Sequence, residues 1–327
     1  MKRSRIMRST LDTSRPPRSL HLRGAVACAL ILSASAGAQD KPVPAVAAQK
    51  TFATSREAAD AFVAAAGTFD EAAMKAILGP DGEGLVVTGE AVKDRDAATR
   101  FAAKAGEKLA VVIDPQNKSR AILSVGNDAW PLPIPIIQKN GTWHFDSKTG
   151  RLEILHRRIG ENELDAIQIC DGYVDAQHEF ALVKAEGSSV NQYAQRIISS
   201  PGKQDGLAWR NPDGTWGGPV GEKIAQAIER GYTDKASPYH GYFFKVLKGQ
   251  GPAAPMGEMD FVVKGMMIGG FALMAAPAEY LVTGVKSFMV SHSGVVYEKD
   301  LGEGTLAAFK ATELYNPDKT WKPVREE

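Results

Sequence analysis

The chain of 327 residues is long enough for two ordinary domains, and with 44% apolar and 24% charged residues it has the make-up of a globular protein. Residues 1–23 hold seven basic residues against one acid, so loss of the first 38 residues would change the formal charge from +1 to −5, which removes the electrostatic case for a nucleic-acid partner. Cys170 is the one cysteine beyond that stretch, which excludes an intrachain disulfide there.

Residues 1–38 have the pattern of a secretory signal peptide. A basic start leads to the apolar run Ala25–Leu32 and to Ala36-Gly37-Ala38, a small-residue cleavage site. The expected cut lies between Ala38 and Gln39, with translation starting at Met1 or Met7, and the product is periplasmic or secreted. The apolar run is too short to cross a membrane, so no span is expected after cleavage. Residues 39–50 read as a disordered leader.

The expected first domain covers 51–160. Helices are expected at Ser55–Ala66, Phe69–Leu78 and Ala91–Ala105. The segment Gly79–Gly84 is a turn and lacks the Gly-Lys-Ser/Thr end of a phosphate loop. β-branched runs at Leu109–Ile113 and Ala121–Val125 predict strands. In Trp130–Ile136 alternate prolines remove donors on one side, while Leu132, Ile134 and Ile136 form the other, which suits an extended edge segment. Asn140-Gly141 turns the chain into Thr142–Asp146, with Trp143 and Phe145 on one face and His144 and Asp146 on the other. His144 and Asp146 are the candidate acid–base pair, against the plainer reading of a polar face in water. Three helices followed by antiparallel strands are similar to the cone-shaped fold of nuclear transport factor 2 relatives. That resemblance supplies no catalytic residues, because those relatives share no functional motif.

The expected second domain covers 161–327. It opens on the best helical pattern of the chain, Ile159–Lys184, with apolar residues at Leu164, Ile167, Cys170 and Val174 beside Ile169, Tyr173, Ala176 and Phe180. Lys148–Arg158 also reads as helical and leads into it through Gly160. Short helices are expected at Val190–Ser199 and Val220–Arg230. Between them lies a glycine-rich loop carrying Trp209 and Trp216, either a cover for the core edge or a sugar-binding surface. Strands are expected at Tyr242–Leu247, Asp260–Val263, Gly270–Ala275, Lys286–Ser291 and Val295–Lys299, and a last helix at Leu306–Leu314. The helix and the later strands resemble the globular part of a type IV pilin, without the apolar half-helix that would build a filament. The expected fold class is thus α+β: a cone-like domain followed by a pilin-like long helix on an antiparallel sheet.

The chain has no HExxH, CxxC, GxSxG or GxGxxG, and its histidines have no metal-ligand spacing, so neither a metal nor a cofactor is expected. Tyr239-His240-Gly241-Tyr242 is the most site-like group, with a titratable imidazole between two phenols. Tyr239, His240, Tyr242, Trp209 and Trp216 are therefore the candidate ligand-binding residues.

Several longer stretches carry a family resemblance: AILGPDGE (Ala76–Glu83), DAWPLPIPII (Asp128–Ile137), RRIGENELDAIQICDGYVDAQHEFA (Arg157–Ala181), SSPGKQDGLAW (Ser199–Trp209), SPYHGYFFKVLKGQGPAAP (Ser237–Pro255) and GGFALMAAPAEYLVTGVKSFMVSHSGVVYEKDLG (Gly269–Gly302). Over Phe52–Val324 the chain resembles the bacterial secreted family known as domain of unknown function 2950. The resemblance implies a protein outside the cytoplasm and brings no catalytic residues with it. Taken together, these features point to a non-enzymatic envelope binding or scaffold protein, its partner an envelope protein or polymer. The alternatives are a small acid–base enzyme using the N-terminal cone, or an envelope-glycan binder.

Overall fold

The computed structural model describes residues 48–183, 190–221 and 238–324. The expected signal peptide and its cleavage site lie outside the described residues, as does the expected helix at Val220–Arg230 beyond Gly221. The fold is mixed α+β with antiparallel sheets.

Helices α1 (Ser55–Thr68), α2 (Glu71–Leu78) and α3 (Ala91–Glu107) come first. Side chains cap the first two: Thr54 accepts from the Glu57 N–H, and Asp70 from the Ala73 N–H. The small face of α1, with Ala58, Ala59, Ala65 and Ala66 buried, allows close approach around Phe62. The Phe62 ring meets Phe101 and Phe145 with centroids 5.6 and 5.1 Å away.

Strands β1 (Leu109–Ile113), β2 (Arg120–Val125), β3 (Trp130–Pro131), β4 (Ile136–Lys139) and β5 (Thr142–Phe145) make an antiparallel sheet in the order β1-β2-β4-β5, with β3 also on β2. Alternation sets its inner face: Ala121, Leu123, Val125, Trp143 and Phe145 are buried, as are Leu132, Ile134 and Ile136 of the proline segment. Gln49 belongs to this core rather than to a leader. Its Nε2 donates to Ile77 O, Leu78 O and Phe145 O at 3.0, 3.1 and 2.7 Å.

One helix, α4 (Ser147–Leu182), then runs for 36 residues, about 54 Å at 1.5 Å per residue. Asp146 caps it, accepting from the Thr149 N–H at 3.1 Å. Near its start Gly150 lies against the proline segment. A Cβ at Gly150 would sit 2.7 Å from Ile134 Cγ1 and 3.0 Å from Ile134 Cα, so glycine is what lets the helix cross there. The helix continues unbroken through Gly160. A single helix glycine costs only about 1 kcal/mol, which packing at both ends offsets.

The second half is a five-stranded antiparallel sheet whose strands, from edge to edge, are Lys322–Pro323, Tyr297–Asp300, Lys286–Ser291, Ala272–Pro277 and Tyr242–Leu247. Before it, β6 (Trp209–Arg210) pairs with β7 (Trp216–Gly217). The strands in chain order are β8 (Tyr242–Leu247), the short pairs β9 (Gly249–Gln250) with β10 (Met259–Asp260) and β11 (Val262–Val263) with β12 (Met266–Met267), then β13 (Ala272–Pro277), β14 (Lys286–Ser291), β15 (Tyr297–Asp300) and β16 (Lys322–Pro323). The central strand β13 is buried along its whole length. Helix α4 packs on β13 and β14, and the closing helix Thr305–Ala311 also packs on β13, with Phe309 stacked on Phe243 at 6.4 Å. The buried apolar residues form two clusters, one in the N-terminal helices and first sheet, the other between α4 and the second sheet.

Three expectations need correction. The buried stripe of α4 is Ala166, Cys170, Tyr173, Val174, Ala176 and Gln177, while Leu164 is 62% exposed. Val190–Ser199 is extended rather than helical: the Tyr193 N–H donates to Met267 O and the Ser199 N–H to Ala208 O, both at 2.8 Å, so distant partners take the donors a helix would use. Asp260–Val263 splits into two strands with different partners, because Met259 and Asp260 pair with β9 while Val262 and Val263 pair with β12.

Candidate functional site

The C-terminal half of α4 and the segment 190–221 enclose two neighbouring concavities. Gln177, which is fully buried, ties α4 to the 190s segment whose residues line both. Its Oε1 accepts from the Ala194 N–H and its Nε2 donates to Ala194 O, both at 2.8 Å, and Nε2 also donates to Tyr173 Oη at 2.9 Å. The amide thus treats the 190s segment as a neighbouring strand would. Tyr173 in turn donates to Ala272 O at 3.3 Å, which ties the helix to β13.

The larger concavity is a water-open basin of about 1050 Å³ beside the end of α4. Three aromatic residues, Phe180, Tyr193 and Trp209, line it together with Glu179, Arg196, Lys203 and Asp205. Tyr193 is fixed from below by Phe271, with ring centroids 4.8 Å apart. Asp205 accepts from the Ser200 N–H at 2.7 Å and from its hydroxyl at 2.9 Å. Burial pushes this carboxyl up, but Ser200 and the Arg196 guanidinium more than offset it and hold the acid below its ordinary value. The basin therefore offers ring faces and charged groups of both signs.

Trp209 and Trp216 do not form one surface. In the β6–β7 pair Trp209 lies opposite Gly217 and Arg210 opposite Trp216, so the two indoles take opposite faces of the ribbon. The Arg210 guanidinium covers the Trp216 ring at 4.3 Å, and Trp216 Nε1 is buried with no partner among the described residues. Only Trp209 of the two lines the basin.

The smaller cavity, about 450 Å³, lies further back along α4. Ile169, Tyr173, Ile197, Leu207 and Leu273 make apolar walls, and Asp165, Gln168, Tyr239 and His240 add polar groups. His240 Nδ1 is hydrogen-bonded to Asp165 Oδ2. Burial, then the Asp165 charge, raises the Tyr239 phenol, which stays protonated. Tyr242 is placed differently: its hydroxyl donates to Lys286 O at 2.8 Å, and its ring is in the core.

In the N-terminal half, His144 and Asp146 share the outer face of β5, both half-buried. Asp146 is occupied by helix capping, with Thr149 Oγ1 donating to it at 2.6 Å, and no hydrogen bond joins it to His144 among the described residues. The sequence reading missed Asp165, Tyr193 and Gln177. The first faces His240 across 75 residues of chain, and the other two become site residues only when the 190s segment docks on α4. The usable signal was Gly241, whose freedom at positive φ permits the turn that brings the chain back to the helix.

Among the described residues no group of three or more His, Cys, Asp or Glu could hold a metal ion, and no helix is long and apolar enough to cross a membrane. Cys170 is fully buried, and burial with the neighbouring Asp171 charge raises its thiol far above the reactive range.

Over residues 49–324 the chain matches the family described as Protein of unknown function (DUF2950), and it belongs to that family. No curated protein and no solved structure matches it.

Proposed function

We propose that this protein is an exported, non-enzymatic binding protein of the bacterial envelope, and that its basin holds a glycan of the envelope polymer. The observation that carries this reading is the pairing, in one open basin, of the Tyr193 and Trp209 rings with Glu179, Arg196, Lys203 and Asp205. Sugars present apolar C–H faces that lie on aromatic rings, and hydroxyls that both donate and accept. A wall with carboxylates and cations side by side serves both hydroxyl roles, whereas a wall of one sign would select an ion instead. Export is supported by the basic, apolar and small-residue blocks of residues 1–38. Capping by Asp146 leaves the acid–base alternative in the N-terminal half with less support.

The same reading treats residues 51–160 as a cone-like module related in layout to nuclear transport factor 2, and residues 161–327 as a pilin-like module. Two separate cores and a long helix laid on an antiparallel sheet support that division, with α4 serving both modules. The test is co-sedimentation of the mature chain with purified peptidoglycan sacculi. Wild type should pellet with the polymer and Trp209→Ala should stay in solution. Equal pelleting, or none for wild type, would refute the glycan assignment.

A further inference from the structure

The turn that carries His240 departs from the local preference of its own geometry. The Tyr239 and Tyr242 backbones exchange hydrogen bonds of 2.9 and 3.0 Å around it, and the two central residues, His240 and Gly241, have φ of 47° and 75°. Two residues with positive φ make a type I′ turn, whose first central position favours asparagine over histidine. Gly241 has no such conflict and is also needed for space, since a Cβ there would lie 2.6 Å from Asn162 Nδ2. The imidazole is set on Asp165 of α4, at the cavity of about 450 Å³.

We propose that this cavity is a second binding site, for a small amphiphile with an aromatic or aliphatic body and a protonated amine head. Its volume falls in the range of small-molecule pockets, and its walls are apolar side chains with a few convergent polar groups. Among the described residues no lysine or arginine lines it, and Asp165 is the one carboxylate. The described rim therefore presents the Asp165 carboxylate, which favours a cationic head over an anionic one. His240 occupies Asp165 Oδ2, and the other oxygen has no hydrogen-bond partner among the described residues. At 38% side-chain exposure Asp165 can meet the ligand head without being stranded in the core. The Tyr239 hydroxyl, kept protonated by burial and by the Asp165 charge, supplies a second polar contact of no charge.

The experiment is ligand-observed saturation-transfer NMR on the full mature chain, with phenethylamine and 3-phenylpropionate as a cationic and anionic pair of similar shape. Phenethylamine should bind and phenylpropionate should not. Asp165→Asn should weaken phenethylamine at least tenfold. His240→Asn should weaken it several-fold while leaving the melting temperature equal or higher, because asparagine suits the turn, so loss of binding there is separable from misfolding. Trp209→Ala, in the other concavity, should leave it unchanged. Equal binding of the two probes, binding of neither, or full binding by Asp165→Asn would overturn the assignment.

Discussion

Gln177 and Ala194 exchange two hydrogen bonds of 2.8 Å each, side-chain amide against backbone, in a place where both are buried. This pair holds the 190s segment against α4 and so positions residues that line each concavity. Gln177→Leu keeps the volume roughly but strands the Ala194 N–H and C=O. An unpaired buried group costs about 1–3 kcal/mol, so the variant should lose about 2–4 kcal/mol of stability in urea unfolding. Its basin should also bind more weakly. Wild-type stability would mean that the segment docks by other contacts.

Tyr173 is 4% exposed, hydrogen-bonded to Ala272 O, and edge-on to Phe271 with centroids 5.7 Å apart. Tyr173→Phe should cost about 1 kcal/mol, the worth of one hydrogen bond. Tyr173→Asp puts an unpaired charge between helix and sheet and should cost about 4 kcal/mol or more, with loss of amide protection across residues 241–300. Protection equal to wild type in that variant would contradict the packing of α4 on this sheet.

His292 sits between Phe261 and Phe271, and its Nδ1 is buried with no partner among the described residues. Burial, with His178 nearby, lowers its pKa from the ordinary 6.5. The unfolded chain therefore takes up the proton first as pH falls. The contribution of neutral His292 is fully present above about pH 6.5 and is lost as pH falls through the lower folded value. His292→Phe should flatten the decline of urea midpoint between pH 7 and pH 5. The carboxylates held below their ordinary values, Asp205 among them, act separately, below about pH 4. A slope unchanged by His292→Phe would exclude this histidine as the source.

The local elements were readable because their physics is local. The runs Leu109–Ile113, Tyr242–Leu247 and Lys286–Ser291 are strands at the expected residues, since β-branched and aromatic residues fit a pleated surface. The capped start of α1 follows from Thr54, whereas α2 starts at Glu71 behind its Asp70 cap, two residues after the expected Phe69, which instead ends α1 in a left-handed conformation. What failed was set by distant partners. The spacing of Tyr193, Ile197 and Ile198 looks helical, yet Met267, Ala208 and Gln177 claim that backbone. Gln177 is polar, so an apolar periodicity passes over it, while Leu164 fits the periodicity and faces water. Of the candidate site, Tyr239, His240 and Trp209 were visible as residue types. Asp165 was not, because nothing near it in the chain says that a turn 75 residues later returns to it.

Glycan binding in the Tyr193–Trp209 basin, as proposed above, can be measured in solution. The most direct measurement is isothermal titration of the mature chain with the N-acetylglucosamine tetramer, repeated on Trp209→Ala and Trp216→Ala. Wild type should bind saturably, Trp209→Ala at least tenfold more weakly, and Trp216→Ala with little change, since its indole lies on the other face of the ribbon. No heat with wild type, or equal binding by wild type and Trp209→Ala, would contradict the glycan assignment.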